Sequence, residues 1–523
     1  MKKRIVVIGA GPVGITSAYL LNKQGYDVTL IESQAEVMKG AAVAANIEHA
    51  DGFEYHKVGH QKTGEYCIDG AITKALFTHT VNASDQILQK YPIRFLVSND
   101  SIDKDGLTKE SFYNNAEHMR THFKKQFASL AAKTPGGAKE LKEILGRDPV
   151  TFARRLEPKD YADCANIACG YAGSGRRLDQ GMYRTMIGDL LFDSRLEPGF
   201  HESHNDDYKL KKLWFDTEVE AIEKQPDGRY AINCTLGKKY AGMNLSGVPH
   251  SETLIADHII LAAGHGVPAL CDKIKGAEFK RKDGLKSAEG TYYLNTMTYV
   301  HLPATRDPEL IKKLKQVNFT LQGEGGAMFA CLYPPSADGG GLAAIYYPSE
   351  KGSQFKKHTY SKDNPVPPPE EWKTHIRAGL DNDDPRVESI MQQAYKYYPF
   401  LKDYAIVSNT ICRTVFNAAN KENNLGLDRR ERDIIDADVI TSDNHIVAFR
   451  SPKWTNAELV ALIAVDNARQ ALGDKALPKS EEHGYGPTKL DVEKLFPIHK
   501  SRSFAEAQER RHQWASKKSW SKQ

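Results

Sequence analysis

The chain has 523 residues, 40% hydrophobic and 26% charged, which is the balance of a soluble globular protein of roughly two to four domains. Its net charge of +4 is small for this length and does not indicate nucleic-acid binding. Seven cysteines without a Cys-x-x-Cys pair indicate neither a zinc ribbon nor a disulfide framework, and no stretch approaches the ~20 apolar residues of a membrane span. We therefore expect a cytoplasmic protein.

The N-terminus predicts a β-α-β unit. A buried strand rich in Val and Ile is expected over Arg4–Ile8, and a helix over residues 15–23. A second strand, Asp27–Ile31, ends at Glu32. A Gly-x-Gly-x-x-Gly motif lies between the first strand and the helix. The motif alone is weak evidence, but with strand, helix and acid at this spacing it predicts a dinucleotide site.

The glycines and the acid have separate roles in this site. Gly9 permits the tight turn, Gly11 lets the backbone approach a pyrophosphate, and Gly14 lets helix and strand pack closely. The helix start offers free N–H groups and a positive dipole end to the phosphates. The acid would bind a ribose hydroxyl and repel a 2′-phosphate. The predicted cofactor-binding residues of this unit are Gly9, Ala10, Gly11, Pro12, Val13, Gly14, Glu32 and Ser33.

A late strand favours FAD over a nicotinamide cofactor. Residues 255–264 form a hydrophobic run that ends in Ala-Ala-Gly, similar to the strand that closes the FAD domain in D-amino-acid-oxidase-like flavoproteins. Residues 217–222 resemble the strand whose backbone meets the adenine in those proteins. This resemblance adds Val219, Ala263 and Gly264 to the predicted cofactor-binding residues.

Two further glycine clusters, residues 323–326 and 339–341, lack the spacing of a second dinucleotide motif and predict hairpin turns. We therefore expect electrons to come from an organic substrate rather than from a nicotinamide, and to leave to a separate acceptor.

The middle of the chain changes from helical to strand-like patterns. Residues 111–133 carry apolar side chains on one helical stripe, and Thr-Pro-Gly-Gly ends this predicted helix at residue 134. Four runs further on predict an antiparallel sheet that forms a second domain. These runs are residues 292–302, 318–321, 327–333 and 342–347.

The predicted fold class is α/β, with a discontinuous Rossmann-like FAD-binding domain, an antiparallel-sheet substrate domain and a helical insertion. We assign residues 1–95, 176–290 and 430–475 to the FAD-binding domain, 96–175 to the insertion, 291–429 to the substrate domain and 476–523 to a basic C-terminal tail.

Further segments resemble enzymes of the D-amino-acid-oxidase-like superfamily. Residues 46–55 are similar to a segment of L-2-hydroxyglutarate dehydrogenase, and residues 173–184, which include Tyr183, are similar to malate:quinone oxidoreductase. The C-terminal region resembles flavin-linked glycerol-3-phosphate dehydrogenases at residues 412–414, 431–433 and 452–455, before a predicted helix over 457–472.

The resemblance implies a reaction and a set of residues. Hydride would pass from a carbon bearing a hydroxyl or amine to the flavin while a base takes the proton. Arg413, Arg432 and Lys453 would bind an anionic substrate. His49 would lie near the flavin ring as base, hydrogen-bond donor or covalent attachment point, and these alternatives stay open. The resemblance also adds Asn46, His49, Lys453, Trp454 and Thr455 to the cofactor-binding residues.

Three functions are compatible with these patterns. The leading hypothesis is a dehydrogenase of a small anionic hydroxy compound, a 2-hydroxy acid or a glycerol-3-phosphate-like molecule, with quinone or another electron acceptor. An FAD-dependent amino acid oxidase or dehydrogenase is the first alternative, and a non-catalytic FAD-binding protein is the second. No metal site is predicted. The basic residues between 500 and 522 suggest either a solvated end or a peripheral contact with the inner face of a membrane.

Overall fold

The structure is a computed structural model. It describes residues 2–34, 36–38, 61–80, 88–103, 107–178, 183, 213–237, 250–281, 290–302, 308–309, 319–322, 328–331, 341–346, 358–360, 372, 379–404, 406–418, 439–449, 454–482, 484–486, 488–496 and 498. The predicted glycine turns at 323–326 and 339–340 lie outside these residues.

Strands and helices are numbered in chain order. The strands are β1 (Arg4–Ile8), β2 (Asp27–Ile31), β3 (Leu88–Ser98), β4 (Arg154–Arg155), β5 (Ile167–Leu178), β6 (Leu213–Trp214), β7 (Thr217–Lys224), β8 (Tyr230–Leu236), β9 (His250–Ala256), β10 (His258–Leu261), β11 (Ile274–Lys275), β12 (Phe279–Arg281), β13 (Gly290–Leu302), β14 (Phe319–Gln322), β15 (Met328–Cys331), β16 (Gly341–Tyr346), β17 (His358–Tyr360), β18 (Ile406–Ala418), β19 (Val439–Thr441) and β20 (Ile446–Ala448). The helices are α1 (Pro12–Lys23), α2 (Gln61–Thr80), α3 (Lys109–Lys133), α4 (Gly137–Leu145), α5 (Val267–Asp272), α6 (Pro385–Tyr397), α7 (Phe400–Tyr404), α8 (Ala457–Ala471) and α9 (Val492–Leu495).

A seven-stranded sheet carries the N-terminal unit, in the order β12-β19-β20-β10-β1-β2-β6. The strands from β20 to β6 are parallel, and β12 and β19 extend the edge antiparallel. In β1, Ile5 and Val7 face one side of the sheet, where α1, α2 and α8 pack. Val6 and Ile8 face the other side, which a small sheet in the order β11-β7-β8-β9 covers. Burial on both faces explains the continuous apolar run of β1.

Two further sheets complete the described part. In one, β13 pairs antiparallel with β16, β17 and β18. The other is mixed, in the order β15-β14-β3-β5-β4, with β14 parallel to β3. The observed strands lie within one or two residues of each end of the four predicted runs. The predicted α/β class, with a Rossmann-like unit, is confirmed. The prediction that the four runs form one antiparallel sheet is wrong: β13 and β16 lie in one sheet, and β14 and β15 lie in the mixed sheet with β3.

The helix predicted over 111–133 is confirmed as α3. It begins two residues earlier because Thr108 and Ser111 form a reciprocal capping box, and it ends before Thr134. The stripe that faces the core consists of Phe112, Met119, Phe123, Phe127 and Leu130, all buried.

The domain boundaries drawn from the sequence stay a prediction, but pairings cross them. Strand β3 spans the boundary at 95/96 and pairs with both β5 and β14, so the predicted insertion and substrate domain share one sheet. The first part of the predicted tail packs into the main core through side chains that are almost fully buried. These are Leu477, Tyr485, Leu490, Val492 and Phe496.

Among the described residues, no helix is long and apolar enough to cross a membrane.

Candidate cofactor site

The candidate site lies at the carboxyl edge of the parallel strands. The glycine loop follows β1, Glu32 follows β2, and the turn Gly264–Gly266 follows β10. The main chain ties these segments together, since Gly9 donates to Ile31 over 2.8 Å and Ala262 donates to Ile8 over 2.8 Å. Ligands of open α/β sheets bind at this edge.

Each position of the loop has a different local reason for being a glycine. Gly9 has a φ of +105°, and a Cβ there would lie 2.7 Å from the backbone of Ala262 and Ala263. A Cβ on Gly14 would lie 1.9 Å from the carbonyl oxygen of Gly9. Beside Gly11 there is room, because the nearest atom, the carbonyl oxygen of Ala262, is 4.0 Å from the Cβ position. The first and third glycines therefore serve packing, and the second leaves open space at the helix start.

The start of α1 offers uncompensated donors to that space. No side chain caps the helix, its first turn contains no acidic residue, and Pro12 occupies the first position. The N–H groups of Val13 and Gly14 have no acceptor within the helix, as in any first turn. A diphosphate fits this arrangement of open space, donors and positive dipole end.

Glu32 is half-buried and faces the glycine loop. One carboxylate oxygen accepts from the N–H of Ala10 over 2.8 Å. The other accepts from the N–H of Gln34 over 2.8 Å and from the hydroxyl of Ser33 over 3.2 Å. This fixes the carboxylate at the end of β2, where a ribose hydroxyl would meet it.

Strand β7 has a bulge at the predicted adenine position. The register with β8 shifts between Val219 and Ala221, which frees backbone groups from the ladder. The carbonyl of Val219 accepts from the ammonium of Lys273 over 2.5 Å. An adenine edge could use the same kind of backbone group.

The turn after β10 connects the cofactor edge with the antiparallel sheet. Gly264 has a φ of +56°, and its Cβ position is open. The turn lies against β18, which carries position 413. The side chain of His265 is exposed to solvent on one side, and the protein atoms around the ring desolvate it and lower its pKa. His265 is therefore neutral at pH 7.

The turn Trp454–Asn456 precedes α8, the helix predicted over 457–472. Trp454 packs edge-on against Tyr183, with ring centroids 5.6 Å apart, and Thr455 is buried. Both polar atoms of the Asn456 amide are buried without a hydrogen bond among the described residues. Trp454 therefore packs against the core beside α8, and its predicted contact with the cofactor stays a prediction.

A charged cluster behind this turn was missed by the sequence analysis. It consists of Lys74 on α2 and Glu458 in the first turn of α8, with Tyr183 donating to the carboxylate. The available signal was a charged residue within an apolar stretch of each helix, Lys74 within residues 70–77 and Glu458 within residues 457–465. The sequence alone does not show that the charges of Lys74 and Glu458 meet.

Several predicted site residues lie outside the described residues. These are Asn46, His49, Arg432 and Lys453. Arg413 lies in β18 opposite Asn295 of β13, and only its backbone is described. The roles assigned to all predicted site residues stay predictions. No group of three or more His, Cys, Asp or Glu side chains that could hold a metal occurs in the described part of the chain.

Comparisons with known proteins agree with this geometry. Residues 4–67 match the family described as DAO: FAD dependent oxidoreductase. No curated protein matches the chain in sequence. The matched segment contains the glycine loop and Glu32, which are the residues that fit a dinucleotide.

Solved flavoenzymes share the fold over most of their length. Glycine oxidase from Geobacillus kaustophilus has a TM-score of 0.50 at 11% identity, over 93% of this chain and 99% of that chain. A point variant of NikD, an unusual amino acid oxidase essential for nikkomycin biosynthesis, has a TM-score of 0.50 at 11% identity, over 92% and 97%. L-alpha-glycerophosphate oxidase from Mycoplasma pneumoniae, with FAD bound, has 17% identity over 92% and 98%, with a TM-score of 0.48. The chain is therefore an FAD-dependent oxidoreductase with a D-amino-acid-oxidase-like fold.

Proposed function

We propose that the chain oxidises a small anionic hydroxy compound, a 2-hydroxy acid or a glycerol-3-phosphate-like molecule. The observation that carries this proposal is the position of Arg413 on β18, the strand that lies against the Gly264–Gly266 turn of the cofactor edge. An arginine there can hold a carboxylate or phosphate through two parallel hydrogen bonds.

The face of the strand supports this placement. Thr410 and Cys412 are both buried, and the hydroxyl of Thr410 lies 3.0 Å from that of Thr298. Cys412 belongs to a small core with Trp372 and Val387. Because successive strand positions alternate, position 413 belongs to the opposite face of β18. That face is the candidate substrate face.

The residues of the chain would orient the substrate and handle its proton. Bound FAD supplies the hydride acceptor. The arginine would hold the anionic group so that the carbinol carbon stays in one orientation. Neutral His265 can accept the hydroxyl proton, and His49 is the second candidate base. Electrons would then leave to quinone or another acceptor, and peripheral membrane contact through the basic tail would fit a quinone.

An amino acid oxidase or dehydrogenase is the second candidate, because the same arginine can hold the carboxylate of an amino acid. Ammonia as a product distinguishes this reaction from oxidation of a hydroxy compound. The two functions therefore differ in product although they share the anion-binding residue.

The test is anaerobic reduction of the purified holoprotein, followed as loss of the flavin band near ~450 nm. Hydroxy acids, glycerol-3-phosphate and amino acids are screened, and the reduced protein is then exposed to oxygen or a quinone analogue. Reduction by a hydroxy compound without ammonia is the expected result. Reduction by amino acids alone would replace the proposal with the second candidate.

A matched pair of variants tests the arginine. Arg413→Met should lower kcat/KM for the reducing substrate about 10- to 100-fold, the effect of losing a charge-assisted pair. Arg229→Met is the control, because Arg229 is exposed and pairs with Asp227 in the hairpin between β7 and β8. Equal kcat/KM in both variants would remove Arg413 from the site.

A further inference from the structure

Lys74 on α2 is a fully buried lysine. Its side chain and that of its partner, Glu458, are both 0% exposed, with 3.4 Å between the ammonium and a carboxylate oxygen. The ammonium also donates to the carbonyl oxygen of Trp454 over 2.5 Å. The rings of Tyr183 and Trp454 lie 5.7 and 5.8 Å from it. The lysine therefore connects α2 with the turn that precedes α8.

Two neighbouring contacts hold the same turn. The hydroxyl of Tyr183 donates to the second carboxylate oxygen of Glu458 over 2.5 Å. One helical turn before the lysine, Gly70 lets α2 approach closely, because a Cβ there would lie 2.1 Å from Oδ1 of Asn456. Helix α2 thus contacts the turn at two points, the carbonyl of Trp454 and the side chain of Asn456.

A buried ion pair is weak evidence for a stabilising role. Removing two charges from water costs free energy, and two apolar side chains of similar size often stabilise a core at least as well. An ammonium does something that an apolar side chain cannot: it fixes the direction of a carbonyl group by a charge-assisted hydrogen bond. The carbonyl in question belongs to a residue of the predicted cofactor-binding segment.

We propose that Lys74 is a positioning residue of the cofactor site, which fixes the Trp454–Asn456 turn for the flavin through the Trp454 carbonyl and Glu458. The inference rests on the proposed function as a flavin enzyme and on the predicted cofactor contacts of Trp454 and Thr455, which place the flavin at this turn. It assigns a task to a residue outside every predicted cofactor-binding segment.

Three variants separate positioning from stability. Lys74→Met leaves Glu458 buried without its cation, so it should lower the Tm and weaken FAD binding together. The double variant Lys74→Met/Glu458→Gln removes both charges, so no buried charge is left unpaired. It still lacks the hydrogen bond to the Trp454 carbonyl. Lys133→Met is the control, because this exposed lysine pairs with Glu493 and does not contact the turn. For each protein the apoprotein Tm, the Kd for FAD and the visible circular dichroism of the bound flavin are measured.

The measurements on the double variant distinguish a positioning role of Lys74 from a purely structural one. We expect its Tm to recover toward that of the wild type, while its Kd for FAD stays about tenfold higher and its flavin circular dichroism stays altered. If Kd and circular dichroism return to wild-type values, or if the double variant does not fold, the lysine is only structural and the inference is wrong. A wild-type protein that binds FAD but is reduced by no substrate would instead count against the proposed function, and the double variant would still test the lysine.

Discussion

The variant Gly11→Ala adds one methyl group, which should weaken FAD binding without affecting the stability of the apoprotein. Gly11 has a φ of −74°, which alanine tolerates, and the added methyl group would have its nearest neighbour at 4.0 Å. Alanine is a poorer N-cap than glycine, but it also lowers the entropy of the unfolded chain, and these effects are similar in size. The apoprotein should therefore keep its stability within about 0.5 kcal/mol.

The same methyl group would occupy the space that we assign to the pyrophosphate. Displacing the phosphates from two N–H donors costs about 3 kcal/mol, at about 1.5 kcal/mol each. The Kd for FAD should rise about 100-fold. Titration of the apoprotein by flavin fluorescence measures the Kd, and thermal unfolding measures the stability.

Gly14→Ala is the contrasting variant. Its methyl group would lie 1.9 Å from the carbonyl oxygen of Gly9, so helix α1 must move away from β1. We expect a loss of about 1–3 kcal/mol even without FAD. If Gly11→Ala binds FAD as tightly as the wild type, or is destabilised as much as Gly14→Ala, the pyrophosphate does not lie beside Gly11.

Three further variants test other parts of the structure. Glu32→Gln retains only one acceptor oxygen, so the Kd for FAD should rise about tenfold by the same titration; an unchanged Kd would exclude the ribose contact. Burial opposes the charge on His122, but its hydrogen bond to Asp69 and the charge of that carboxylate outweigh this and raise its pKa. Burial raises the pKa of Asp69, so the pair needs a pH above that pKa. From there up to pH ~6.5 the pair contributes to stability, and it loses this contribution as the pH rises through the raised pKa of His122. The Tm of the wild type should fall over that pH range relative to the Tm of His122→Gln. Parallel curves of Tm against pH for the two proteins would contradict this. Phe496→Ala should cost about 3 kcal/mol in urea unfolding, because the ring is almost fully buried; a loss below about 0.5 kcal/mol would place the segment outside the core.

The cofactor unit could be predicted because its contacts are short in sequence. Gly9, Gly14 and Glu32 meet within one β-α-β unit, and the contact from Ala10 to Glu32 spans 22 residues. Such spacing is set by strand and helix geometry alone. The predicted helix over 457–472 is equally local, since its apolar residues and its polar start define it.

The pairing of distant strands could not be predicted in the same way. Strand β3 pairs with β5 and with β14, which lies more than 200 residues further along the chain. Alternating residues identify a strand but not its partner. The segment around Tyr485 was assigned to a tail because its apolar residues have no helical or strand period. Its burial depends on contacts with α2 and α3 that no local pattern contains.

The buried Lys74 combines a local sequence signal with a contact between distant segments of the chain. Its hydrogen bond to Trp454 spans 380 residues, yet the charge itself stands out within the apolar stretch of residues 70–77. Because a buried charge needs a partner, such a residue predicts that some distant polar group meets it. The partner here belongs to the turn before α8. In our proposal, the cofactor site therefore includes the glycine loop, α2 and this turn. Cofactor binding should therefore be coupled to folding of the whole parallel-sheet unit, and FAD should stabilise all of it rather than the β-α-β unit alone.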